Sequence, residues 1–297
     1  MSFVRLLLLA IFTAVFSGAM AFAQESEERE GGIIGTGIAG TVTALGSIEV
    51  NGQQIRFDDT LPVDDSLPGM TAASLRPGHT VAVTVQPEGT GWRALHIRQI
   101  WPLAGPVESA DNGRLTILGS EVEAGELAKD VEPGDWLAVS GLWQGNRVLA
   151  SRLDVLPQDY RQARLSGSYL GPDRQGGHLV GGTRLYGWKP EQLQPGVVLR
   201  VVGAAVPGGI AASQVETGLF SAGAEVVLIE GYYSDPNPDG LYTVLGSGLS
   251  AFTSNPLMIS TDDRVIRCGI QGQLGLPPDA SVSSRAAAVQ LECTAGN

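Results

Sequence analysis

Leu75-Arg76-Pro77-Gly78-His79-Thr80-Val81-Ala82-Val83-Thr84-Val85 is the stretch from which the fold can be read. Its opening phrase, an apolar residue, any residue, then Pro-Gly, recurs at Val131-Glu132-Pro133-Gly134 and at Leu193-Gln194-Pro195-Gly196. Pro-Gly suits the two central positions of a type II turn, because Pro presets φ and Gly accepts the positive φ that the second position requires. Gly78, Gly134 and Gly196 are therefore expected to be structural turns. An alternating segment follows each: Val81, Val83 and Val85; Leu137, Val139 and Gly141; Leu199, Val201 and Gly203. Side chains alternate faces along a strand, so this period of two predicts strands with one buried face. The spacing persists further. Ala94, Ala150 and Ala212 fall at one common offset from their glycines. A core-sized residue precedes each by two (Trp92, Val148, Ile210), and an apolar one follows by three (Ile97, Leu153, Val215). This is one β-hairpin written three times.

Each hairpin has an upstream partner. Gly40-Thr41-Val42 leads to Gly46-Ser47-Ile48-Glu49-Val50, Gly105-Pro106-Val107 to Leu115 through Ser120, and Gly167-Ser168-Tyr169 to Leu179 through Gly182. A worn fourth copy runs from Gly231-Tyr232-Tyr233 to Leu241 through Ser247. It continues through two alternations, Ile266, Cys268, Ile270 and Val289, Leu291, Cys293, which predict the last two strands without a Pro-Gly turn. The expected fold is all-β: tandem small barrels, like the oligonucleotide/oligosaccharide-binding fold, of about four strands each, with short turns and little helix. The expected divisions are module 1 at 35–101, module 2 at 102–157, module 3 at 158–218 and module 4 at 219–297.

The segment Gly35-Thr36-Gly37-Ile38-Ala39-Gly40-Thr41-Val42, then Gly46 through Gly52, then Leu75 through Val85, resembles the exported bacterial DUF5666 family. Residues 105–153 and 167–215 resemble further copies. The resemblance implies small β-barrel modules in a bacterial cell envelope. The family's function is not established, so it carries over no site residues.

The N-terminus points to the same compartment. Arg5, an apolar run from Leu6 to Phe16 and the close Ala21-Phe22-Ala23 have the form of a signal peptide, predicted at 1–23 with Gln24 as the first mature residue. The run is short for a membrane span, which needs about 20 apolar residues. Residues 24–34, rich in Glu, are expected to be a flexible acidic linker. No later stretch is expected to span a membrane. In an oxidising compartment the two cysteines, Cys268 and Cys293, are expected to form a disulfide. These readings place the protein in the periplasm.

Charge narrows the partners. The chain carries 19 Lys plus Arg against 31 Asp plus Glu, net −12, and Lys occurs only at 129 and 189. Nucleic-acid binding needs a basic patch, so no nucleic-acid partner is expected. Gly35 to Gly40 fits G-x-G-x-x-G, but a charged linker precedes it and a β pattern follows, so the dinucleotide reading fails on context. Asp235-Pro236-Asn237-Pro238-Asp239-Gly240 alternates oxygen-bearing side chains as a calcium loop does, with Asp235, Asn237 and Asp239 as candidate ligands. The EF-hand's twelfth-position Glu is Gly246 here, which leaves a looser cation site or a plain turn. His79, His96 and His178 fall at different places in the repeat. The adjacent pairs Asp58-Asp59, Asp64-Asp65 and Asp262-Asp263 read as solvated charge. Trp101, Trp136, Trp143, Trp188, Tyr186, Tyr232 and Tyr233 are not all at core offsets, and either pack between modules or stack on sugars or a partner. No catalytic constellation and no cofactor motif emerges. The expectation is a non-enzymatic envelope binding or assembly protein, with an envelope protein or glycan as partner. The alternative is a carbohydrate-binding or carbohydrate-acting protein.

Overall fold

A computed structural model describes residues 35–174, 176–189 and 193–293. The expected leader (1–23) and acidic linker (24–34) lie outside the described residues.

The first module contains β1 (Thr36–Ala44), β2 (Ile48–Val50), β3 (Gln53–Arg56), β4 (Val63–Asp64), β5 (Thr80–Glu88) and β6 (Gly91–Gln99). β1 pairs antiparallel with β2 and β5, β2 with β3, and β5 with β6. β3 then runs parallel to β6 and closes the ring, while β4 adds a short flap beside β6. The second module repeats the ring with β7 (Leu103–Asp111), β8 (Arg114–Ile117), β9 (Ser120–Glu123), β10 (Trp136–Gln144) and β11 (Arg147–Val155). The third repeats it with β12 (Ala163–Pro172), β13 (His178–Val180), β14 (Thr183–Tyr186), β15 (Val198–Val206) and β16 (Gly209–Thr217). These are the tandem small barrels expected from the repeat, with five strands in each ring. The Greek-key closure is that of the oligonucleotide/oligosaccharide-binding architecture.

The turn glycines explain the common spacing. Gly78, Gly134 and Gly196 have φ of +91°, +97° and +97°. The residue after each glycine donates its N–H back to the residue before the proline: His79 to Arg76, Asp135 to Glu132, Val197 to Gln194. Each glycine N–H donates to the first strand of its own barrel, at Val42, Val107 and Tyr169. The Pro-Gly turn thus hooks the entry of the fourth ring strand onto the first. The three alanines are explained too. Ala94, Ala150 and Ala212 lie opposite Val85, Gly141 and Gly203, immediately beyond a register shift that leaves Leu95, Ser151 or Ser213 unpaired. A bulge at one repeated place bends each hairpin enough to close so small a barrel.

The fourth copy keeps the topology with less strand. It comprises β17 (Val226–Gly231), β18 (Leu241–Val244), β19 (Leu249–Phe252), β20 (Val265–Ile270) and β21 (Gln273–Leu274), followed by α1 (Val282–Gln290). β17 pairs with β20, β20 with β21, β21 parallel with β19, and β19 with β18, and a Tyr233–Val244 bridge returns to the first strand. This corrects the expected final strand. The alternation Val289, Leu291, Cys293 belongs to the end of a helix and the turn beyond it. Ser281 caps that helix by accepting from the Ser284 N–H at 3.0 Å, and Ala286-Ala287-Ala288 favours helix over strand. Three apolar residues at period two were too short a signal to outweigh the cap. The Cys268–Cys293 disulfide forms nonetheless, joining β20 to the chain beyond α1.

The modules associate through their first strands. β2 is much shorter than β1 and covers only its second half, leaving Thr36 to Ala39 as a bare edge. β17 fills that edge in parallel, Thr36 opposite Val226 through Ala39 opposite Ile229. Where this pairing ends, Glu230 accepts from the Thr41 N–H at 2.7 Å and pairs with Arg264, and the Asn51 amide donates to the Ala39 and Leu228 carbonyls. The corresponding edge of β7 pairs antiparallel with β12 at Leu103–Leu165 and Ala104–Arg164. Two cores result. Leu137, Val139, Leu165 and Val201 belong to one, spanning modules 2 and 3. Ile38, Val83 and Trp92 join Val226, Leu228, Cys268 and Leu291 in the other, spanning modules 1 and 4.

Candidate functional site

The chain leaves the first barrel through Arg98-Gln99-Ile100-Trp101, and this exit forms the wall between two cavities. Gln99 and Trp101 are 3% and 6% exposed. The Gln99 Oε1 and the Trp101 indole N–H are buried and have no hydrogen-bond partner among the described residues. Both side chains line a cavity of about 260 Å³ whose other walls include Asp65, Arg164, Ser166, Arg200 and Glu216. Both also line a cavity of about 390 Å³ with Leu67, Met70, Arg76, His79, Arg152 and Asp154. The loop after β4 contributes Asp65 to the first cavity and Leu67, Pro68, Gly69 and Met70 to the second.

Charges on the first side are mostly neutralised within the wall. Asp65 Oδ2 lies 3.0 Å from Arg98 Nε and 2.8 Å from Arg200 Nη1. Arg200 also pairs with Glu216 and donates to the Gly218 carbonyl. A hydrogen bond from the Gln214 amide, then one from Arg200, hold the Glu216 carboxyl below its ordinary range. Burial, then the like charge of Arg200, pull the Arg98 guanidinium down, against the opposing pull of Asp65. Arg164 differs. It donates to the Asp65 backbone carbonyl at 3.1 Å and lies 5.1 Å above the Trp101 ring centre, yet it has no carboxylate partner among the described residues.

The second side is locked. His79 Nδ1 accepts from the Arg76 N–H at 3.1 Å, so Nε2 carries the proton and donates to Asp154 Oδ2 at 3.1 Å. Burial pushes the Asp154 carboxyl up, but the hydrogen bonds from His79 and Arg152 outweigh it and hold the group below its ordinary range. With both ring nitrogens engaged, His79 has no lone pair to offer as a base. It is a bracket between the first and second barrels.

The other sequence candidates fall elsewhere. Asp64-Asp65 is not simply solvated charge: Asp65 bridges to Arg200, 135 residues away, and Asp64 accepts from Ser221. No local pattern could have announced this. In the Asp235–Gly240 loop, Asn237 Oδ1 accepts from the Asp239 and Leu241 N–H groups, so the middle candidate ligand is turned onto its own backbone. Among the described residues no group of three or more His, Cys, Asp or Glu could hold a metal ion; the set Asp235, Asn237 and Asp239 holds only two such residues, with Asn237 Oδ1 already engaged. Gly37 and Gly40 of the G-x-G-x-x-G segment lie in β1, a strand, where a Cβ would strike Phe220 or Asn51. His96 is exposed on β6, and His178 meets the Tyr169 hydroxyl at 2.9 Å. Of the aromatics, Trp143 is buried between barrels, donating to the Ser166 carbonyl at 2.7 Å. Trp101 and Trp136 pack with Leu67 and Leu156, Trp188 lies edge-on to His178, Tyr232 is buried, and Tyr233 lies against Arg267. Tyr186 is exposed.

A family model described as a domain of unknown function, DUF5666, matches residues 39–98 and again 104–154. Two consecutive segments of the chain are thus similar to DUF5666 domains. They coincide with the first and second barrels, and the third and fourth barrels repeat their strand order beyond the matched residues. No curated protein and no solved structure matches the chain. The first barrel supplies Asp65 and His79 to the two cavities, and the second supplies Arg152 and Asp154. Arg164, Arg200 and Glu216 come from the third barrel. The cleft therefore belongs to the array of barrels, and neither matched segment would form it alone.

Proposed function

We propose that this is a non-enzymatic binding or assembly protein of the bacterial cell envelope. It is exported to the periplasm by the Met1–Ala23 leader and holds an envelope glycan or protein in the cleft beside Trp101. The observation that carries the reading is the pair of buried, unpartnered groups, Gln99 Oε1 and Trp101 N–H, in the cleft wall. A buried polar group without a partner costs stability, and a ligand or ordered water that satisfies it removes that cost. Two features agree with export: the disulfide, and the lack among the described residues of any helix long and apolar enough to cross a membrane. The locking of His79 and Asp154 into the barrel junction favours binding over acid–base chemistry.

Fractionation of the native host tests the compartment. The mature chain should appear in the periplasm beginning at or near Gln24, and an inner-membrane chain beginning at Met1 would contradict this. The cleft is tested by retention of envelope components on immobilised mature protein and on a Ser166→Trp variant, which fills the cavity. A component retained by the first and lost from the second supports the reading. Equal retention by both removes the cleft from it.

A further inference from the structure

The residues lining the smaller of the two cavities include one with a buried unpartnered acceptor, one with a buried unpartnered donor and a guanidinium without a carboxylate partner, and this set selects a ligand chemistry. We infer that the cavity beside Trp101 takes a single acidic sugar ring, with hydroxyls meeting Gln99 Oε1 and the Trp101 N–H and a carboxylate meeting Arg164. The inference rests on the cleft reading above and names its ligand class.

Gln99 Oε1 needs a donor and the Trp101 N–H needs an acceptor. A hydroxyl is both, so a polyhydroxylated ring serves the two with one kind of group. Arg200 pairs with both lining carboxylates, Asp65 and Glu216, so Arg164 is the lining guanidinium with no carboxylate partner among the described residues. Its planar fork fits a carboxylate with two parallel hydrogen bonds. The cavity, about 260 Å³, falls below the roughly 300–1,000 Å³ of sites for drug-sized ligands, which suits one ring. Arg164 also covers a face of Trp101, so the ring is expected to dock against the indole edge that carries the N–H.

The test is calorimetric titration of the mature protein with D-glucuronate, D-glucose and glucose 6-phosphate. Glucuronate should bind at least tenfold more tightly than glucose and more tightly than the phosphate ester. Arg164→Gln should weaken glucuronate about tenfold and leave glucose unchanged. Trp101→Phe, which keeps the ring and removes the N–H, should weaken both sugars. Gln99→Met serves the same purpose if the Trp101 variant fails to fold by circular dichroism. Equal affinity for glucose and glucuronate, tighter binding of the phosphate ester, or indifference of glucuronate to Arg164→Gln overturns the acidic-sugar assignment. Those outcomes leave the cleft itself standing. Absence of binding by all three probes also overturns the assignment, and the Ser166→Trp comparison then decides separately whether the cleft binds anything.

Discussion

The three turn glycines share a backbone conformation but not an environment, and that separates two costs of replacing them. A Cβ on Gly134 would meet nothing within 4 Å, so Gly134→Ala should cost only the left-handed backbone, about 1–2 kcal/mol. A Cβ on Gly78 would lie 2.6 Å from the Ser151 carbonyl oxygen of the second barrel, so Gly78→Ala should cost measurably more. Urea unfolding of the two variants checks this, and equal losses would mean that the Gly78–Ser151 contact contributes nothing. Such turns were legible in the sequence because their chemistry is complete within four residues. Asp65 was not, because its partners Arg98 and Arg200 reach it only after the barrels have packed. Asp154 gives a second prediction at this scale. Its folded-state pKa is lowered, so ionisation stabilises the fold at any pH above the ordinary carboxylate value of about 3.9. That contribution is lost as pH falls through the lowered folded value. Thermal melts should show Asp154→Asn less stable than wild type at neutral pH, with the gap narrowing as the pH falls below about 4. A gap independent of pH would rule out the charge as its source.

Strands were legible wherever alternation was sustained and bounded by turns, as at Val81 to Val85. The element that escaped was α1. Its Val289 and the following Leu291 and Cys293 mimic a strand, while its start is set by one serine cap and three alanines. Leu291 and Cys293 do pack in the core shared by modules 1 and 4, but the helical period turns Val289 out to solvent and brings Ala288 in instead. The disulfide then holds α1 to β20 across a sequence separation of 25. Closing a loop of that size is worth about 3 kcal/mol in the chain-entropy model. Replacing both cysteines with alanine should therefore lower stability by about that amount. Limited proteolysis should then cut first between β21 and the C-terminus. A double variant as stable and as resistant as the parent would show that helix packing alone holds this end.

Sequence repeats revealed the barrels but not which barrel meets which, because the pairing is set by edges that look alike in all copies. The first strand of each barrel outruns its neighbour, and the exposed half needs a partner. β7 finds one in β12 of the next module, whereas β1 finds one in β17, three modules on. Deleting residues 219–297 should therefore do more than remove a module. It strips Thr36 to Ala39 of its partner strand and removes Val226, Leu228, Cys268 and Leu291 from the first barrel's core. That uncharged edge should pair with other copies, so light scattering after size exclusion should show self-association. A stable monomer would mean that the first barrel is self-sufficient. The same parallel pairing sets a clock on biosynthesis. Thr36 is translated early and Val226 late, and at 5–20 residues per second the interval is roughly ten to forty seconds. During that interval β1 presents a sticky half-strand, and the first barrel strand to be made is the last to be sealed. A chaperone that grips extended apolar chain should engage the protein there, and should let go once the final barrel arrives.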